Sequence, residues 1–191
     1  MLADELFDLI YPEPIRGLSS NYWTPVEVAR RAIELLAARA GSHVLDIGAG
    51  VAKFCILGAM TSPATFTGVE HRANLVDVGR RAIEKLGVPR ARMVHGTLET
   101  VPWAEFDAFY LYNPFEENLA DHGDRLDNRV EMSEARFCRD VLAVECALGR
   151  ATRGTRVVTY HGFGGKIPRS YRLLVEEPCG TDRLRLWEKV R

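Results

Sequence analysis

The stretch His43-Val44-Leu45-Asp46-Ile47-Gly48-Ala49-Gly50-Val51-Ala52, with Val69-Glu70-His71-Arg72 after it, decides the fold. Val44, Leu45 and Ile47 make the apolar run of a central parallel strand. Gly48 and Gly50 then let the backbone turn sharply and come close to a bound molecule. The second strand closes on Glu70, twenty residues beyond Gly50, where a doubly wound sheet places a ribose-binding carboxylate. A nucleotide-like ligand is the expectation.

Working outward, Tyr11-Pro12-Glu13-Pro14 forbids a continuous helix before Tyr22. Thr24 reads as an N-cap, with Pro25 at the first helical position and Glu27 completing a capping box. Val28, Ala32, Leu35 and Leu36 form that helix's apolar stripe, and Gly41 stops it. Downstream come a helix over 51–60, a strand over 65–70, a helix over 73–86 closed by Gly87, and a strand over 91–95. A strand at 106–112, a helix over 133–148 and a strand at 156–160 follow. Strands alternating with helices give a parallel sheet covered on both faces. The segments 171–177 and 184–190, joined through 178–182, read as a closing antiparallel hairpin. The expected fold class is α/β, a three-layer sandwich around a mostly parallel seven-stranded sheet with a C-terminal antiparallel hairpin. One domain is expected over 1–191, its helical segment 1–42 leading into an α/β core at 43–191.

Composition bounds the function. A chain of 191 residues that is 47% hydrophobic can bury one full core. Its 25 basic and 26 acidic residues leave a net charge of -1, so no global field draws in nucleic acid or an anionic membrane. Cys55, Cys138, Cys146 and Cys179 lack the paired spacings of a zinc site, so no metal is expected and the thiols read as reduced in a cytoplasmic protein. The acidic start Met1-Leu2-Ala3-Asp4-Glu5 is unlike a signal peptide, and no apolar run reaches membrane-spanning length.

Dehydrogenases share this layout, but they hold a pyrophosphate at the helix amino terminus. Asp46, two residues before the first glycine, would repel one. A carboxylate there suits a ligand carrying an ammonium and a sulfonium. Leu45-Asp46-Ile47-Gly48-Ala49-Gly50 with Gly68-Val69-Glu70 resembles the class I S-adenosylmethionine-dependent methyltransferases, and the terminal hairpin extends the resemblance over nearly the whole chain from about Tyr22. It implies S-adenosylmethionine as cofactor. Asp46 would hold its methionine end, Gly48, Ala49 and Gly50 would admit it, and Glu70 would accept hydrogen bonds from both ribose hydroxyls. His71 would pack against the adenine edge. Many members place an acid after the third strand to read the adenine amino group. This chain has Thr97 there, leaving that contact to Thr97 and Leu98. Lys53 reads as solvated and Phe54 as core.

The fourth strand ends in Tyr112-Asn113-Pro114-Phe115-Glu116-Glu117. Asn113-Pro114-Phe115 resembles the Asn/Asp-Pro-Pro-aromatic motif of methyltransferases acting on planar nitrogens, and single-proline variants resemble lysine-directed members of the fold. The resemblance implies a catalytic group of Asn113, Pro114 and Phe115, with Asn113 also beside the cofactor. Tyr22, Tyr112 and Phe163 would line the acceptor pocket, and the charged segment 118–136 would lie over the reactive side as a substrate-selecting lid. The expected function is methyl transfer to a nitrogen of a lysine-like protein side chain or a small molecule. A nucleic-acid methyltransferase of the adenine N6 type is the first alternative, with Arg125, Arg129, Arg136 and Arg139 as its local basic patch. A non-catalytic cofactor-binding partner protein is the second, and a nicotinamide-dependent oxidoreductase fits Asp46 badly.

Overall fold

The computed structural model describes residues 3–36, 40–121, 123 and 125–191. Its sheet has seven strands: β1 (His43–Ile47), β2 (Thr65–Glu70), β3 (Ala91–His95), β4 (Ala108–Tyr112), β5 (Arg156–Tyr160), β6 (Tyr171–Cys179) and β7 (Asp182–Lys189). They lie in the order β3-β2-β1-β4-β5-β7-β6. The first five run parallel, and β7 inserts antiparallel between β5 and the edge strand β6. The chain leaves β1 toward β3 on one side, then returns to build from β4 on the other. At that switch point the segments leaving the carboxyl ends of the paired strands β1 and β4 lead to helices on opposite faces of the sheet, and a crevice is expected between them.

Among the described residues, seven helices surround the sheet: α1 (Ala3–Asp8), α2 (Glu13–Arg16), α3 (Ser19–Tyr22), α4 (Val26–Leu36), α5 (Lys53–Thr61), α6 (Ala73–Leu86) and α7 (Glu134–Arg150). Strand alternation divides the core in two. Val44, Phe66 and Tyr110 face α4, α5 and α6, where Phe54 stacks on Tyr110 with centroids 3.9 Å apart. Leu45, Ile47, Phe109 and Val157 face the other way, against Val144 and Leu148 of α7. On that second face β3 and β4 are joined without an α-helix. Two 3-10 turns, Leu98–Thr100 and Trp103–Glu105, make the connection, and α7 packs against the first of them.

Most expected elements appear within two residues of their predicted ends, and the departures have physical reasons. Thr24 does not cap α4; its hydroxyl bonds the Tyr110 hydroxyl at 3.3 Å, while Asp4 Oδ1 accepts the Val26 amide at 2.9 Å. A partner 22 residues upstream leaves no trace in local spacing. β4 starts at Ala108 because Asp107 turns its carboxylate to the His43 amide, 2.8 Å away. The hairpin is tighter than predicted. Pro178 and Cys179 continue β6, and Gly180-Thr181 alone make the turn, with Gly180 at φ +56°.

Candidate functional site

The glycine turn is tied to β2 by its own amides. Gly48 and Ala49 each donate to the Val69 carbonyl at 3.0 Å. Gly50 donates to Glu70 Oε2 at 3.1 Å, and the Arg72 amide donates to Oε1 at 2.9 Å. Both Glu70 oxygens are thus fixed by backbone N–H groups, and each keeps a further lone pair. Burial pushes the Glu70 carboxyl above its usual range, against the lowering pull of Arg72 and the Gly50 amide. The left-handed turn glycines also make room for the chain itself. A Cβ on Gly50 would stand 2.5 Å from the Trp23 ring, and one on Gly48 would stand 2.8 Å from Pro114 Cβ.

A cavity of about 270 Å³ opens at the carboxyl ends of β1 to β4. Of the residues singled out from sequence, Tyr22, Gly48, Gly50, Glu70, His71, Thr97, Leu98, Tyr112, Asn113, Pro114 and Phe115 line it. Three others do not. Asp46 and Ala49 line an adjoining space of about 30 Å³, whose walls include Tyr22, Trp23, Gly48 and Tyr112 of the larger cavity together with Thr24, Lys53 and Phe54. Phe163 is 2% exposed and belongs to the α7-side core, so its place is structural packing and not the acceptor pocket. Lys53 also departs from expectation. It is 2% exposed and bridges Asp4 Oδ1 at 2.7 Å and Asp8 Oδ1 at 2.9 Å, which straps α1 behind the glycine turn.

Burial pushes the Asp46 carboxyl up to about 7; the Cys55 thiol, donating to Oδ2 at 3.6 Å, pulls it down, and Glu70 pushes it up further. An acid whose folded pKa exceeds its unfolded value binds its proton more tightly in the folded chain, so its contribution to stability falls as pH rises from the unfolded value to about 7. A tenfold change in the acidity of such a group corresponds to about 1.4 kcal/mol. Asp46→Asn is therefore expected to raise the melting temperature near pH 8 and to change it little near pH 4. A variant that melts lower than the parent chain at the higher pH would contradict this.

Three solved structures were compared with this architecture. An RNA methyltransferase from Salinibacter ruber, in complex with S-adenosyl-L-homocysteine, superposes with a TM-score of 0.65 over 87% of this chain and 93% of its own, at 20% identity. A mutant of MtNAS in complex with S-adenosylmethionine gives 0.62 over 98% of this chain and 71% of its own, at 18% identity. A rRNA methylase from Streptococcus thermophilus gives 0.54 over 85% and 96%, at 16% identity. This chain has the class I methyltransferase fold. No family model matches the sequence, and no curated protein matches it.

Within this methyltransferase fold, part of the segment 118–136, expected over the reactive side, does line the cavity, and the group that holds it there, Arg72, has no role assigned from sequence. Arg72, 4% exposed, sends its guanidinium to both oxygens of Glu117 at 3.0 and 3.1 Å and to Asp127 Oδ1 at 3.0 Å. Glu117 Oε1 also accepts the Leu126 amide at 2.7 Å. The segment after β4 is thereby latched beside Glu70, and Ala120, Leu126 and Met132 reach the cavity wall. Burial together with Arg72 and Arg136 pushes His71 down to about 4, which leaves a neutral ring whose Nδ1 accepts from Arg136 at 3.2 Å. Of the four arginines considered as a basic patch, Arg125 is bonded to the Ala120 carbonyl, Arg129 faces Asp127 and Arg136 faces Asp140.

After β4, Asn113 takes φ +40°, and its amide donates to the Gly162 carbonyl at 3.0 Å. The side-chain Nδ2 donates to Glu116. Tyr112 packs on Tyr160 and His161, with ring centroids 5.3 and 5.5 Å away. Among the described residues no cluster of His, Cys, Asp and Glu could hold a metal, and no helix is long and apolar enough to cross a membrane.

Proposed function

We propose that this chain is an S-adenosylmethionine-dependent methyltransferase acting on a nitrogen of a protein side chain or a small molecule. The observation that carries this reading is one cavity lined both by Glu70, amide-anchored and retaining acceptor capacity, and by Asn113 two strands away. The residues fit the cofactor. Glu70 can take a ribose diol, Leu98 and Phe115 offer apolar walls, and the volume stands close to the lower bound of about 300 Å³ for ligand pockets. When bound, the cofactor supplies an electrophilic methyl group on a sulfonium.

The chain's own part is positioning. With Nδ2 committed to Glu116, the Asn113 side-chain carbonyl is left to accept an N–H from the acceptor and aim the nitrogen lone pair. Trp23, packed over Gly50, and Tyr112 add aromatic walls to the same cavity. Glu116, bonded to Asn113, is placed to receive the proton that a charged amine must lose. Of the carboxylates on the lining, Glu117 is paired with Arg72 and Asp140 with Arg136, so Glu116 beside Asn113 is the one that favours a neutral or cationic acceptor over a polyanion.

An RNA acceptor is the second reading, because two of the compared structures are named as RNA or rRNA methylating enzymes and Asn113-Pro114-Phe115 suits a planar base nitrogen. Calorimetry with S-adenosylhomocysteine tests the donor site. Losing two charge-assisted hydrogen bonds, Glu70→Ala is expected to weaken binding about 100-fold. Asn113→Ala should keep that affinity while transfer from labelled S-adenosylmethionine falls about 100-fold through misalignment. No binding by the parent chain, or unchanged affinity in Glu70→Ala, overturns the proposal. Labelling of RNA but not of protein or small amines selects the second reading.

A further inference from the structure

Among the described non-glycine residues, Ala52, Asn113 and His161 alone have a left-handed backbone, at φ +68°, +40° and +54°. Two of them stand side by side. Tyr112 and Tyr160 are register partners at the ends of β4 and β5, so Asn113 and His161 are the next residue after each strand. The Asn113 amide donates to the carbonyl of Gly162, itself left-handed at φ +72°, and this bond joins the two departures from the sheet. Asparagine and histidine enter this region more readily than most side chains do, but surrounding contacts must still hold them there.

The contacts on His161 come from the β6–β7 turn. Its Nδ1 stands 3.2 Å from Asp182 Oδ2, and its Nε2 stands 3.4 Å from the Thr181 hydroxyl. The ring also meets Tyr160 in a T-shaped contact, with centroids 4.4 Å apart. The turn is itself anchored, because the Thr181 amide donates to the Tyr160 hydroxyl at 3.1 Å and Tyr160 is 1% exposed. His161 and Asp182 do not line the cavity around Asn113, so neither touches an acceptor there. With side chains 33% and 30% exposed, the pair is screened by water and contributes little to stability by itself. What it fixes is the path of the chain that follows β5.

We infer that His161 and Asp182 are positioning residues for methyl transfer. The β6–β7 turn clamps His161, and the His161-Gly162 backbone presents the Gly162 carbonyl to the Asn113 amide. Asn113 is thereby held in the backbone pose from which its side-chain carbonyl is aimed at the acceptor nitrogen. This inference rests on the role proposed for Asn113 above. Tyr112, which lines the cavity, packs on the Tyr160 and His161 rings, so the clamp bears on two neighbouring wall residues together. The C-terminal hairpin, which otherwise only closes the sheet, takes part in the reaction through this contact.

Amide hydrogen exchange read by NMR, together with transfer from labelled S-adenosylmethionine to a cell extract, tests the clamp. His161→Ala and Asp182→Ala should each speed exchange of the Asn113 amide about 10-fold and leave that of the Gly50 amide, bonded to Glu70, unchanged. Both variants should keep the affinity for S-adenosylhomocysteine while transfer falls about 10-fold. His161→Asn enters the left-handed region readily and keeps a side-chain donor, so it should bring exchange and transfer back to within about threefold of the parent, a rescue that lost packing would not show. Thermal melts establish that each variant is folded. Asn113 exchange that is unchanged, or that rises together with Gly50, overturns the inference, as does selective exchange with undiminished transfer. A parent chain that binds no S-adenosylhomocysteine or labels nothing in the extract, or an Asn113→Ala variant that transfers like the parent, overturns instead the reading on which the inference rests.

Discussion

Lys53→Met is expected to lower the melting temperature by about 10 °C, a loss of about 3 to 5 kcal/mol. Methionine keeps much of the lysine volume and can pack at the Phe7 ring, which lies 5.7 Å from Nζ, so cavity formation contributes little. The cost arises elsewhere. Asp8 is 6% exposed at its side chain and would be left as a buried carboxylate without its cation, while Asp4, 40% exposed, could turn to water. Asp4 in turning away would also release the Val26 amide at the start of α4, and Ser19 would lose its bond from Nζ at 3.2 Å. The segment that places Trp23 over Gly50 would loosen with them. Adding Asp8→Asn to Lys53→Met should restore more than half of the loss, because it removes the uncompensated charge. Scanning calorimetry of the single and double variants decides the matter. A double variant no more stable than Lys53→Met would show that the cost is not the orphaned carboxylate.

Arg72→Ala is expected to cost about 3 kcal/mol and to free the segment that follows β4. Three hydrogen bonds are lost together, and Glu117 and Asp127, 26% and 19% exposed at their side chains, are left facing each other without the intervening charge. Limited trypsin digestion should then cut rapidly after Arg125 or Arg129 in the variant and slowly in the parent chain. Arg72→Lys should fall between the two, since an ammonium can pair with either carboxylate but cannot form the fork that binds both Glu117 oxygens. An unchanged melting temperature together with an unchanged digestion pattern would refute the latch.

The sheet was legible because its signals are local. The apolar run before Gly48, the stop at Gly87 and the two arms of the hairpin each lie within a few residues, and the structure places β1, α6 and β6–β7 accordingly. The first half of the cavity followed, since Glu70 and the glycine turn are fixed by strand spacing. What escaped is held by side chains far apart in sequence. Asp4 caps a helix 22 residues on, Lys53 finds Asp4 across 49 residues, and Arg72 finds Glu117 across 45. A lysine just after a glycine turn reads as solvated unless its partners are known. Phe163, between glycines on a loop, reads as an acceptor-pocket residue; the glycines let the loop pack closely against Phe137 and Val141 of α7 while the ring fills the core.

β6 carries a consequence beyond the site. It is the outermost strand, and Leu173 and Leu174 are 39% and 38% exposed, a combination that invites pairing with another chain. The register shifts between Leu173 and Val175, so Leu174 is an extra residue that breaks the regular row of outward amide and carbonyl groups. Pro178 removes one donor near the turn, and Arg172, Glu176 and Glu177 add charge along the strand. An incoming strand would find no uninterrupted ladder to extend. The bulge thus serves as protection against aggregation, and deleting Leu174 would straighten the edge into a template for fibre growth.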